Sequence, residues 1–381
     1  MQLVLDRCRF IYNQMLEGLQ KQKKPDRLAL QNSIPNLKEQ YPELNGVYSK
    51  SLQYECYRLF SNLRALSRLK KKGRKVGRLR FKSGEWFKTF TYNQSGFKLI
   101  TTSKRCQKLH LSKIGDISMK VHRVIEGKMK QVTVKKYPSG KWYASISVEF
   151  EMDTSVRPIK DNTEAVGIDL GIIHFVYDSN GNSIDHPKFL TTSLQKLKVL
   201  QQQLARKKRG SSNRKNQRIK VSRQFEKVCN QRNDFLHKLS RRYVNSYDII
   251  SVENLNVKGL IGISYNARNI SDASWSKFLQ MLKYKAESAG IQLVRIEPRG
   301  TTQMCSGCEK TVPKRLWNRV HKCDNCGLTL DRDHNAAINI LNLGLRKLGQ
   351  ELPEIKPLRK GTATDINIHQ QVPLMKEEAA P

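Results

Sequence analysis

In CDNCGLTLDRDHNAAINI, residues 323–340, a Cys-x-x-Cys pair stands just ahead of an acidic triplet. The two ligand types call for different metals: thiolates suit zinc, and hard carboxylate oxygens suit magnesium or manganese. A second pair, CSGC, supplies Cys305 and Cys308, separated from Cys323 and Cys326 by residues 309–322. Four cysteines so spaced can enclose one tetrahedral Zn²⁺, and a site of four thiolates keeps no open position for catalysis. A structural zinc ribbon is therefore expected, with a redox pair as the alternative. The spacing fits a ribbon that only stiffens its insertion and equally one that touches DNA.

Three acids are the candidates for catalysis. In the strand pattern VGIDLGI, Val166, Ile168 and Leu170 share one face, and Gly167, Asp169 and Gly171 share the other. Aspartate is depleted in strands, and its glycine neighbours are expected to clear space for a charged ligand. The plain alternative is an edge-strand aspartate facing water. In YDIISVENL, Glu253 falls at the C-terminal end of a strand, where α/β folds commonly place ligands. A solvated strand-end glutamate is the alternative there. In LDRDHNAAINI, Asp331 suits an N-cap, and Asp333, Ala336, Ala337 and Ile340 recur at helical spacing. Asp333 then lies on the sheet-facing stripe at the positive end of the helix, and the alanines allow close approach to a sheet. Both aspartates could merely complement the helix dipole, and Asp331 is read that way.

A mid-strand Asp, a strand-end Glu and an Asp opening a late helix can converge on one edge of a mixed sheet. Carboxylates gathered so closely repel one another unless divalent cations bind between them. Two Mg²⁺ (or Mn²⁺) ions can activate a water and stabilise the leaving oxygen of a phosphoryl displacement.

The elements that must position these groups follow from periodicity. Residues 1–70 are expected to be helical, with RFIYNQMLEGLQ carrying apolar residues at helical spacing. Strands are expected over 90–151, with a hairpin at Pro138-Ser139-Gly140. A linker is expected over 154–164, then two strands around Ser179-Asn180-Gly181-Asn182, and a helical pair over 193–245 broken near Gly210-Ser211-Ser212. YDIISVE reads as a strand, SWSKFLQMLKYKAESAG as a helix closed by Gly290, IQLVRIEP as a strand and NAAINILNLGLRKLG as the last helix. The polar tail after Pro353 is expected to be disordered.

The 381 residues include 70 Lys and Arg against 33 Asp and Glu, a formal net charge of +37. Such an excess destabilises a compact chain unless a polyanion neutralises it. No stretch approaches the apolar length of a membrane span, and the basic residues are spread over several segments. Nucleic acid is the better-fitting partner, and a membrane role is not expected. Eight cysteines, only four of them paired, point to a reducing compartment and a metal site instead of a disulfide framework.

As a set, CRFIYN, RLRFKS, VGIDLGI, DFLHKLS, ISVENLNVKGL, the two knuckles and LDRDHNAAINI resemble the TnpB family, transposon-encoded RNA-guided nucleases related to type V CRISPR effectors. The resemblance covers residues 8–348. It implies a multidomain α+β chain: an RNase H-like (RuvC) mixed-sheet nuclease core with an inserted zinc ribbon, a helical recognition domain and a β-rich wedge domain. The implied boundaries are 1–90 for the recognition domain, 91–155 for the wedge and 156–300 for the first nuclease part. The ribbon then takes 301–330, the final nuclease helix 331–350 and a disordered tail 351–381. Family members usually open with a strand that MQLVLDRCRFIYN does not supply, so that first wedge strand is expected to be absent.

The family's catalytic carboxylates fall on Asp169, Glu253 and Asp333, as ligands of two Mg²⁺ or Mn²⁺ ions. Its zinc ligands fall on Cys305, Cys308, Cys323 and Cys326. The resemblance also implies a guide RNA from the transposon end, a double-stranded DNA target beside a short adjacent motif, and a prokaryotic cytoplasmic, nucleoid-associated location. Basic runs are the expected nucleic-acid contacts: Lys70, Lys71, Lys72, Arg74, Lys75, Arg78, Arg80 and Lys82 in one, and Arg206, Lys207, Lys208, Arg209, Arg214 and Lys215 in the other. Phe81, Trp86, Phe87 and Phe90 are interleaved with the first run and are expected to stack on bases. Charge runs are also commonly solvated helix faces. Gln53 is offered as a contact to the adjacent motif. A guided repressor that does not cut, a strand-transferring transposase and a CRISPR effector are the competing functions.

Overall fold

A computed structural model describes residues 1–101, 106–121, 125–149, 151, 163–263, 266–315 and 317–349. The tail expected to be disordered lies outside the described residues, as does the expected linker up to residue 162. The chain divides into two compact units, Met1–Glu151 and Met152–Pro381.

In the first unit, helices α1 (Gln2–Lys21), α2 (Arg27–Asn32), α3 (Ile34–Gln40) and α4 (Ser49–Lys71) precede strands β1 (Thr89–Asn93), β2 (Phe97–Thr101), β3 (Cys106–Leu111), β4 (Gly115–Lys120), β5 (Lys128–Lys136) and β6 (Trp142–Glu149). The helical stripe of α1 buries Val4, Leu5, Cys8, Ile11, Tyr12, Met15, Leu16 and Leu19, as its 3.6-residue spacing requires. That stripe joins Leu52, Cys56 and Leu59 of α4 and Phe90 and Tyr92 of β1 in one core. The strands form two antiparallel sheets of order β1-β5-β6 and β2-β3-β4. The β5–β6 hairpin turns where expected, with Gly140 at φ 86°.

The second unit opens with β7 (Ala165–Asp169), β8 (His174–Asp178) and β9 (Ser183–Asp185), then α5 (Phe189–Ala205) and α6 (Ser212–Ser246). It continues through β10 (Ile249–Glu253), α7 (Val257–Ile263), α8 (Ala267–Ala273), α9 (Trp275–Ala289), β11 (Gln292–Ile296), β12 (Val320–Lys322), β13 (Thr329–Asp331) and α10 (Arg332–Lys347). Five strands make a mixed sheet of order β11-β10-β7-β8-β9, with β10 parallel to β7 and β11 and the remaining pairs antiparallel. Val166, Ile168, Ile250 and Val252 face a core shared with α6 and α9. On the opposite face Ile249, Val294 and Ile296 pack against Ile340, Leu341 and Leu345 of α10.

Where two strands were expected over 165–185 there are three. The chain doubles back between β7 and β8, and Gly171 N donates to Phe175 O at 3.4 Å. A Cβ on Gly171 would lie 2.7 Å from His174 O, so this glycine serves the turn. A Cβ on Gly167 would lie 2.2 Å from Ala337 O and 2.6 Å from Leu341 N of α10. Both glycines were expected to open space for a ligand beside Asp169; one is instead filled by helix backbone and the other by a turn. Gly344 makes the matching contact lower down, against Ser251 of β10.

Helix α10 starts as expected. Asp331 is its N-cap and accepts from Asp333 N at 2.7 Å and His334 N at 3.3 Å. Asp331→Ala should lower stability by about 1 kcal/mol, measured by denaturant unfolding.

Candidate active site and metal centre

The three acids come from three elements. Asp169 ends β7, Glu253 ends β10, and Asp333 lies in the first turn of α10. β7 and β10 are parallel neighbours, paired from Ile249 against Ala165 to Val252 against Ile168, so both acids stand at the same end of the sheet. The close contact of α10 with Gly167 sets the helix over that end.

The Asp169 carboxyl is pushed up to about 8, first by burial and then by the negative charges of Glu253 and Asp333. Arg332 and the N–H of Leu170 act in the opposite direction. Burial also raises Glu253, against the pull of a hydrogen bond from Thr301 Oγ1 to Glu253 Oε1 at 2.6 Å. Asp333 is held by two guanidinium groups. Arg332 donates twice to Oδ1, at 2.8 and 2.9 Å, and Arg319 donates to Oδ2 at 3.2 Å. Arg319 immediately precedes β12, and its carbonyl accepts from Arg332 N at 2.7 Å. Asp169 and Glu253 are half-buried and Asp333 is buried. The three offer hard carboxylate oxygens, the donor type a divalent cation takes, although among the described residues only the four cysteines stand close enough together to hold an ion as they are.

The cysteines converge as expected. Their Sγ atoms all lie within 4.8 Å of one another, and Cys305–Cys326 and Cys308–Cys323 are each 3.6 Å apart. A tetrahedron with Zn–S near 2.3 Å has S···S edges of about 3.8 Å, so the four thiols have the size of a zinc cage. The Lys310 backbone N–H and the Asn325 side chain hold Cys308 down at about 6, favouring its thiolate, whereas burial pushes Cys305 up, the opposing shift a bound cation would relieve. Cys305→Ser, at a fully buried ligand, should lower bound zinc from one per chain to near zero, read by elemental analysis, and loosen the ribbon.

Thr301, Arg319 and Arg332, together with Asn335 and Asn339 of α10, are site residues that pattern reading missed. Asn335 and Asn339 announce themselves only by polarity: they are buried to 0% and 1% exposure among the alanines and isoleucines of α10.

The expected nucleic-acid contacts are differently disposed. Lys70 and Lys71 close α4, and Lys72, Arg74, Lys75, Arg78 and Arg80 continue along an exposed irregular stretch, with Lys82 and Gln53 half-buried. Of the four aromatics only Phe81 and Trp86 are exposed; Phe87 and Phe90 are buried in the core, where Arg58 lies over the Phe87 ring. Those two cannot stack on bases: β1 carries Phe90 inward, and the turn ahead of it, where Phe87 N donates to Ser83 O at 3.0 Å, does the same for Phe87. Arg206, Lys207, Lys208 and Arg209 fill the exposed turn between α5 and α6, and Lys215 is exposed at the start of α6. Arg214 instead donates to Leu204 O and Lys207 O at the end of α5. On the ribbon, Trp317 is 70% exposed with the Arg315 guanidinium over its ring. Among the described residues, no helix is long and apolar enough to cross a membrane.

Comparison with known proteins places this architecture. Residues 145–264 match the OrfB_IS605 family model, described as "Probable transposase", and residues 275–340 match the Cas12f1-like TNB domain. A Streptomyces pristinaespiralis protein provisionally named an RNA-guided DNA endonuclease is 40% identical over 56% of this chain and 52% of its own length. The Escherichia coli K12 protein provisionally named RNA-guided DNA endonuclease InsQ is 31% identical over 74% of this chain and 72% of its own length. The chain thus spans about half the length of the first relative and nearly three quarters of the second. A cryo-EM structure of a Cas12f1–sgRNA–target DNA complex shares the fold with a TM-score of 0.59 at 16% identity, covering 90% of this chain and 82% of that one. TnpB-like proteins of Acanthamoeba polyphaga mimivirus are 27% identical over 49% of this chain and 39% or less of their own length. With a relative above 30% identity matched over most of both chains, and with family models covering the mixed sheet, the ribbon and the last helix, this chain belongs to the TnpB family.

Proposed function

We propose that this chain is an RNA-guided DNA endonuclease of an insertion-sequence transposon, hydrolysing target-DNA phosphodiesters next to a short adjacent motif. The observation that carries the reading is the meeting of Asp169, Glu253 and Asp333 at one end of the mixed sheet, where Asp169 is destabilised as an anion by the other two. In this reading the sheet and α10 are an RNase H-like core, and the residues between β11 and α10 are its zinc ribbon. The relatives named as RNA-guided DNA endonucleases point to the same chemistry.

Asp169, Glu253 and Asp333 would hold two Mg²⁺ or Mn²⁺ ions, which supply charge for the phosphate oxygens and activate a water. Thr301 keeps the Glu253 carboxylate in place, and Arg332 does the same for Asp333. Arg319, with a half-exposed side chain on Asp333, can reach a substrate phosphate from that position. The products would carry 5′-phosphate and 3′-hydroxyl ends. The exposed lysines and arginines over 70–80 and 206–209, with Phe81 and Trp86 beside the first run, suit RNA or heteroduplex backbone with some base stacking.

Sequencing the RNA that co-purifies with the full chain tests the guided part of this reading. The expected result is one enriched RNA that maps to the transposon end and continues into flanking sequence. A profile no different from bulk cellular RNA would contradict it.

A further inference from the structure

We infer that Thr301 and Asn339 are positioning residues for Glu253, so that the helix carrying Asp333 also sets the second acid, through the first residues of the ribbon. The inference rests on reading the three acids as a divalent-cation site.

The relay consists of buried and part-buried hydrogen bonds. Thr301, 2% exposed, donates from Oγ1 to Glu253 Oε1 at 2.6 Å. Its own carbonyl accepts from Asn339 Nδ2 at 2.8 Å, and the same amide reaches Met304 O at 2.7 Å. Gly300, at φ 87°, turns the chain so that Gln303 N and Met304 N both donate to Gly300 O. One helical turn before Asn339, Asn335 donates to Met304 O at 2.8 Å and accepts from Ser306 N at 3.0 Å, next to the zinc-site Cys305. Two asparagines on one face of α10 therefore grip residues 301–306.

Physical chemistry gives this arrangement a direction. A buried amide is unfavourable unless its hydrogen bonds are made, and the side-chain bonds of Asn335 and Asn339 go to this one segment. A carboxylate ligand is useful to a cation only at a fixed rotation, and neighbours that fix ligand rotation typically change metal affinity by about 10–100-fold. Thr301 has the one hydroxyl seen on the Glu253 carboxylate among the described residues. Asp333 reaches the site from the same helix as Asn339, so a shift of α10 would displace both acids together.

The test is a Mn²⁺ titration of the zinc-saturated full chain by calorimetry, with zinc per chain measured on each sample. Thr301→Val keeps the shape and removes the donor, and should weaken Mn²⁺ binding by about 10-fold with zinc unchanged. Thr301→Ser restores the hydroxyl and should bind within about 3-fold of wild type, below the range such neighbours usually command. Should Thr301→Val fail to fold, Asn339→Leu tests the relay from its other end and should weaken Mn²⁺ in the same direction. Thr301→Val binding Mn²⁺ as wild type does, while Glu253→Gln has lost binding, would overturn the inference alone. Glu253→Gln binding as wild type does would instead overturn the reading of the acids beneath it.

Discussion

Asp169→Asn, assembled with its RNA, is expected to bind target DNA and leave it uncut, with the cleavage rate reduced by at least about 10³-fold. Asp169 is the acid that feels both of the others, so its charge is the one a bound cation most relieves. Asparagine keeps the size and removes the anion. Zinc content should not change, because the four cysteines hold their site without it.

On stability the same substitution has the opposite sign. The carboxyl is pushed up to about 8 from an ordinary value of 3.8, so the folded chain binds this proton more tightly than the unfolded chain does. The stabilisation is fully present below about pH 4 and is lost as pH rises through about 8. In zinc-replete buffer without magnesium, Asp169→Asn should therefore melt above wild type at pH 8, with the gap closing toward pH 4. Mg²⁺ should narrow the gap at pH 8 by stabilising the wild-type site. Thermal melts across this range check the sign.

Gly167→Ala is the second large effect, and it acts through packing. The added methyl would sit 2.2 Å from Ala337 O and 2.6 Å from Leu341 N. Both are backbone atoms in mid-helix, so α10 must move as a body. Overpacking of this kind costs about 1–3 kcal/mol and sometimes more, and the upper part of that range is expected here. Because α10 carries Asp333, cutting should fall along with stability. Gly77→Ala is the control, since nothing lies within 4 Å of the added methyl; it should leave unfolding unchanged.

Much of this was readable from the residues because periodicity speaks directly to local structure. The α1 stripe, the β5–β6 hairpin, the break between α5 and α6 and the Gly290 end of α9 all follow from spacing and turn chemistry. Asp331 as a cap and Asp333 as the inward acid also follow, since the cap fixes the helical phase. What failed was inference about who fills a space. A glycine beside an acid looks the same in sequence whether a ligand or a helix occupies the gap, and at Gly167 it is the helix. Phe87 and Phe90 sat in a basic neighbourhood, but a turn before β1 and the strand itself turned them into the core. Thr301 and Arg319 could not be found by spacing, because the ribbon returns them to the acids from far along the chain, and the two asparagines of α10 gave no sign that their partners were residues 301–306.

The central claim is tested most directly by one cleavage assay. The full chain purified with its RNA is mixed with a double-stranded target complementary to the guide, with Mg²⁺ and without divalent ions. Cutting is expected only with Mg²⁺ and only on the matched target, giving 5′-phosphate ends, with none by Asp169→Asn. Equal cutting by Asp169→Asn, or cutting that ignores the guide sequence, would contradict it.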